Sequence, residues 1–112
     1  MINTDDYGNV HYYNENFEFH REDGPAIERT NGDKRWYQNG KLHRIDGPAI
    51  ELASGDKEWY VNGQLHRLYG AAIEYSNGRK SYYLYGNVFQ YDKYALAINS
   101  LSKSRNQSFR SF

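Results

Sequence analysis

The sequence predicts an all-β chain, an elongated meander of repeated β-hairpins with a short C-terminal capping helix. Three observations carry that reading: a 23-residue internal period, glycines and Asn-Gly pairs that keep step with it, and apolar content that is aromatic rather than aliphatic. His20-Arg21-Glu22-Asp23-Gly24-Pro25-Ala26-Ile27-Glu28 recurs as His43-Arg44-Ile45-Asp46-Gly47-Pro48-Ala49-Ile50-Glu51. It returns, weakened, as His66-Arg67-Leu68-Tyr69-Gly70-Ala71-Ala72-Ile73-Glu74. Trp36-Tyr37, Trp59-Tyr60 and Tyr82-Tyr83 follow the same step. Gly8 and Tyr12-Tyr13 match Gly32 and Trp36-Tyr37, as a partial N-terminal copy, if one residue is inserted before His20. That alignment puts Asn16 near the place of Gly40, and Asn tolerates left-handed backbone.

Each repeat reads as two short strands and tight turns. Ala49–Leu52 is a short strand, Ser54-Gly55-Asp56 turns the chain, and Lys57–Val61 is β-prone through its aromatic and branched side chains. Asn62-Gly63 follows, the pair that a type I′ hairpin turn favours because both central residues need positive φ. Asn31-Gly32, Asn39-Gly40 and Asn77-Gly78 repeat the device. Gln64–Arg67 leads into the next loop, and Asp23-Gly24-Pro25 and Asp46-Gly47-Pro48 have turn chemistry. The array therefore takes up residues 1–91. Residues 92–103 form the capping helix, with Asp92 as N-cap and Tyr94, Ile98 and Leu101 on one face. Residues 104–112 are a polar tail, whose Phe109 and Phe112 are expected to dock on the sheet or on a second copy.

Composition narrows the function. The chain of 112 residues fits one domain, its 14 basic and 14 acidic side chains cancel, and it has no cysteine. Disulfides, thiolate metal sites and cysteine nucleophiles are thereby excluded. No apolar run reaches the roughly 18 residues of a membrane helix, and the start is polar, which predicts a cytoplasmic protein. The aromatics comprise twelve Tyr, five Phe and two Trp. They must replace a scarce aliphatic core, and Trp36 and Trp59 are expected to be buried. Strand alternation would turn Tyr37, Tyr60 and Tyr83 to the other face, where they could meet a partner.

Trp36-Tyr37-x-Asn39-Gly40-x-x-His43-x-x-x-Gly47, with Gly55 eight residues on, resembles the MORN repeat. The closer likeness is to a variant, Trp-Tyr-x-Asn-Gly-x-Leu-His-Arg-x-Asp-Gly-Pro-Ala, widespread in bacteriophage, giant-virus and bacterial proteins. The resemblance covers roughly residues 7–88. It implies a single-layer hairpin array with stacked aromatics, a binding or scaffold role in place of catalysis, and a viral source. Arg21, Arg44 and Arg67 stand where the common motif has glycine after the histidine, which sets lipid-headgroup or small-ligand binding behind protein binding.

The His-Arg-x-Asp unit invites a catalytic or metal reading. A catalytic constellation is assembled once, however, and this one recurs in register. Recurrence predicts a structural ladder of His20, His43, His66, Asp23, Asp46, Trp36 and Trp59, with no catalytic, metal or cofactor site. In it Asp46 would cap the Gly47-Pro48 turn, and Arg44 would pair with a carboxylate of a neighbouring repeat. Tyr37, Tyr60, Tyr83, Arg44 and Arg67 are the candidate protein-binding residues. Zero net charge argues against nucleic acid. The charge is nonetheless uneven: residues 1–33 carry two basic and eight acidic side chains, residues 79–112 six and one. Opposite ends favour self-association, a homodimer included. The expected function is binding and inhibiting a host factor, for instance in antiviral defence, with a self-assembling scaffold as the alternative.

Overall fold

The computed structural model describes the backbone of residues 1–110 and the side chains of residues 1–101. The expected docking of Phe109 and Phe112 concerns side chains outside those described. The architecture is all-β, an antiparallel hairpin array followed by one helix. It is long and thin, 55 × 37 × 19 Å, with a radius of gyration of 16.8 Å against about 13 Å for a compact chain of this length.

Nine strands form the main sheet in the order β1 (Ile2–Thr4), β2 (Val10–Tyr12), β3 (Ile27–Glu28), β4 (Lys34–Arg35), β7 (Ile50–Glu51), β8 (Lys57–Glu58), β11 (Ile73–Glu74), β12 (Lys80–Leu84) and β13 (Asn87–Phe89). Two separate hairpins, β5 (Tyr37–Gln38) with β6 (Lys41–Leu42) and β9 (Tyr60–Val61) with β10 (Gln64–Leu65), stand beside it. The single strand expected over Lys57–Val61 is thus two, separated at Trp59. The Trp59 N–H donates to Ala72 O at 2.7 Å, in the sheet, while its carbonyl accepts from the His66 N–H at 3.0 Å, in the hairpin. Trp36 divides its repeat in the same way, between Ala49 and His43.

Two kinds of turn alternate. Asn39-Gly40 and Asn62-Gly63 have positive φ at both residues and close two-residue hairpins. Asn31-Gly32 and Asn77-Gly78 do not repeat that geometry. There only the glycine is left-handed, and the Arg29 N–H reaches Asp33 O and the Tyr75 N–H reaches Arg79 O around three-residue loops. In the N-terminal copy Phe17, not Asn16, takes the positive φ, because Asn14 spends its side chain on the Asn16 and Glu18 N–H groups in a longer loop.

The core is not the tryptophans. Ala26, Ile27, Ala49, Ile50, Ala72 and Ile73 are buried, whereas Trp36 and Trp59 are only half-buried. A layer this thin covers a large indole on one side only, while the small Ala-Ile pairs lie where strand and loop meet. Cross-strand registry puts Ile27, Arg35, Ile50, Glu58, Ile73 and Ser81 in one row. The opposite row reads Glu28, Lys34, Glu51, Lys57, Glu74, Lys80, alternating in sign at every step. Much of the cancelled charge is therefore local, beneath the imbalance between the ends.

Helix α1 spans Tyr91–Arg110, across residues assigned to a tail by sequence. No glycine or proline interrupts 91–110. The Tyr94 N–H donates to Gln90 O, so Asp92 lies inside the first turn, favourable to the helix dipole, and is not the N-cap. Ala49 is fully buried, with no exposed surface. Ala49→Leu should cost about 1–3 kcal/mol by overpacking, read as a lower melting temperature in a thermal denaturation.

Candidate functional site

The His-Arg-x-Asp loop is a built unit whose arginine, aspartate and histidine Nδ1 have structural partners. Arg44 lies flat over Trp36, its Cζ 3.9 Å from the ring centroid. Arg67 over Trp59 at 3.8 Å and Arg21 over Tyr12 at 4.0 Å repeat the stack. Arg44 Nε donates to Asp46 Oδ1 at 2.9 Å and Nη1 to Pro48 O at 3.0 Å. Its second carboxylate, Glu51, stands 3.8 Å away. Arg44 thus pairs within its own loop and the strand that follows, not with a neighbouring repeat, and Asp46 serves Arg44. That hydrogen bond and the guanidinium charge lower the Asp46 carboxyl pKa.

The glycine of the loop is set by the same guanidinium. A Cβ built on Gly24, Gly47 or Gly70 would lie 2.9, 2.8 or 2.7 Å from Cζ of Arg21, Arg44 or Arg67. None of the three has positive φ, so what the glycine supplies is the space that the guanidinium fills. The cation is held between an aromatic face and bare backbone.

Histidine joins one repeat to the next. The Asn39 N–H donates to His20 Nδ1 at 3.0 Å, the Asn62 N–H to His43 Nδ1 at 3.0 Å, and the Tyr85 N–H to His66 Nδ1 at 2.9 Å. Each bond fixes the first residue of the following left-handed turn. A third ladder runs on the far edge, where the Ala53 N–H donates to Asp33 Oδ1 and the Ser76 N–H to Asp56 Oδ1, both at 2.7 Å. Sequence reading missed it, although Asp33 and Asp56 keep the 23-residue step. The hydrogen bond from Ala53 lowers the Asp33 pKa.

The expected binding row is partly accessible. Tyr37, Tyr60 and Tyr83 are half-buried, and the Tyr60 hydroxyl donates to Glu58 Oε1 at 3.0 Å. Burial, reinforced by Glu58, raises the Tyr60 pKa. Arg44 and Arg67 are occupied over their indoles. What the loops offer instead is Ile45, 80 % exposed, on a ridge between two clefts. One cleft, of about 720 Å³, lies between the loops of Asp23 and Asp46 and has Trp36 and His43 in its wall. The other, of about 730 Å³, lies one repeat on, with Trp59 and His66 in those places. Ile45 fills the variable position of His-Arg-x-Asp, and an apolar side chain among charged turn residues is the signal that sequence reading passed over.

Among the described residues no group of three His, Asp or Glu side chains is placed to hold a metal, and no helix is long and apolar enough to cross a membrane. No family model, no curated protein and no solved structure matches the chain.

His66 sets an acid limit. Its Nδ1 can accept the Tyr85 N–H only while it carries no proton, and burial lowers the pKa of His66 from 6.5. Above pH 6.5 both folded and unfolded states are neutral at this residue. As pH falls below it the unfolded chain takes up the proton first, so stability drops. Thermal melts from pH 8 to pH 5 should show a declining midpoint below about pH 6.5, and His66→Gln should flatten that decline. An unchanged decline in the variant would remove His66 from the account.

Proposed function

We propose that the chain is a protein-binding repeat module without chemistry of its own, and that its partner lies across Ile45 and the two clefts beside it. The observation that supports this is the pairing of an exposed isoleucine with matched clefts on either side. The polar groups that could otherwise suggest catalysis are committed to the stacks and ladders. A large exposed apolar side chain flanked by concave surface suits the anchor of a protein interface.

Repeat geometry adds a scale. Two strands per repeat at about 4.8 Å each set successive loops about 10 Å apart, the length of about three extended residues. A partner segment in polyproline II conformation, three residues per turn at about 3.1 Å each, would therefore place every third side chain at an equivalent cleft. The partner in this reading is a cytoplasmic host factor that the protein inhibits by occupying it. A component of antiviral defence is the candidate, on the strength of the viral occurrence of the repeat variant.

A photo-crosslinking side chain at position 45, introduced in the native host, should give one discrete adduct. The same group at Ser54, exposed on the far turn, should give none. Ile45→Asp should abolish co-purification of that protein while moving the melting temperature little, since the side chain is solvent-exposed. Equal adducts from both positions, or undiminished co-purification with Ile45→Asp, would contradict the assignment.

A further inference from the structure

The aromatic series has a fourth member whose surroundings differ. Tyr82 stands 23 residues after Trp59, but the residue eight further on, arginine after both Trp36 and Trp59, is Gln90. Two rings of α1 come to Tyr82 instead. Tyr91 lies 5.1 Å away, inclined by 59°, and Tyr94 4.9 Å away, inclined by 44°. Tyr94 is fixed there, 4 % exposed, its hydroxyl donating to Arg67 O at 2.6 Å and accepting from the Gly70 N–H at 3.0 Å. Tyr69 is the fourth ring. It sits where the other repeats have Asp23 and Asp46, and it holds a φ of 64°, a strained conformation for a tyrosine. The four tyrosines border a cleft of about 390 Å³ completed by Gly70, Ala95, Ile98 and Asn99.

We propose that this cleft binds a quaternary ammonium group, presented by a trimethylated lysine of a protein partner. Mutually inclined rings offer their electron-rich faces to a cation from several sides. The array itself shows that these aromatic positions hold cations, since Tyr12, Trp36 and Trp59 each carry a guanidinium. Those guanidiniums have their N–H groups met as well, as Arg44 does by Asp46 and Pro48. Among the described residues the tyrosine cleft has no charged side chain in its wall, so the N–H donors of a bound arginine or unmodified lysine would lack a carboxylate there. A trimethylated ammonium has no N–H to satisfy, and its charge is met by the rings alone. The cage stands on this geometry. The partner as its source rests on the binding-module reading above.

Tyrosine ring signals in NMR spectra test both clauses, with tetramethylammonium chloride titrated against sodium chloride at equal ionic strength. A short peptide with trimethyl-lysine is compared with its unmethylated form. Saturable shifts of Tyr69, Tyr82 and Tyr91 with tetramethylammonium are expected, and the methylated peptide should bind about tenfold or more tighter than the unmethylated one. Tyr91→Ala, at a ring 63 % exposed, should remove the saturation without unfolding the chain. Gln90→Arg should remove it too, by restoring the repeat's own cation over Tyr82. Linear, salt-like shifts would overturn the cage. Saturation by tetramethylammonium with equal binding of the two peptides would overturn the lysine source, whatever crosslinking at Ile45 shows.

Discussion

Arg44 lies between the face of Trp36 and the backbone of Gly47, and much of the repeat follows from accommodating it. The indole must stay half-exposed to receive the cation, so it cannot be the core. The loop passes close beneath, where glycine leaves the guanidinium its place. Asp46 and the Pro48 carbonyl must converge on the donors the ring leaves free. A cation–π contact contributes about 0.5–2 kcal/mol and a charge-assisted hydrogen bond about 1.5–3 kcal/mol. Neither is large, but three near-identical units place the same contribution at every repeat of a slab too thin for a conventional interior.

The ladders then explain how the array is joined and how it ends. Within a repeat the arginine stack closes the loop; between repeats His20, His43 and His66 and the carboxylates of Asp33 and Asp56 each take a backbone N–H of the next unit. At the C-terminal end the devices stop together. Arg79 follows Asp56 in the carboxylate series, Gln90 follows Arg67 in the stacking series, and Tyr94 of the helix plugs the last loop by its hydroxyl. The cap works because it supplies rings where the repeat would have supplied a guanidinium.

Much of the fold was legible because the repeat is written in residues with narrow conformational roles. Asn39-Gly40 and Asn62-Gly63 name their turn, and the 23-residue step aligns everything else. Burial was less legible. Tryptophan looked like the core and alanine like filler, because the expected burial of a side chain depends on how many layers cover it, which no single repeat states. The splitting of each strand at Trp36 and Trp59 was hidden for a related reason: those residues bond to two different neighbours, and that choice is made by the next repeat. The length of α1 escaped because a polar run without glycine or proline is compatible with either helix or coil. Of the candidate site, the ladder residues were visible through their recurrence. Ile45 was not, since it sits at the position where recurrence fails.

A double-mutant cycle on Trp36→Leu and Arg44→Met, measured by denaturant unfolding, tests the arginine stack most directly. If the guanidinium is held by the indole, the two losses are not additive, and the coupling energy is about 1 kcal/mol or more. Losses that add within experimental error would mean that Arg44 and Trp36 stabilise the repeat separately, and the stack would no longer explain the loop, its glycine or the exposed tryptophan.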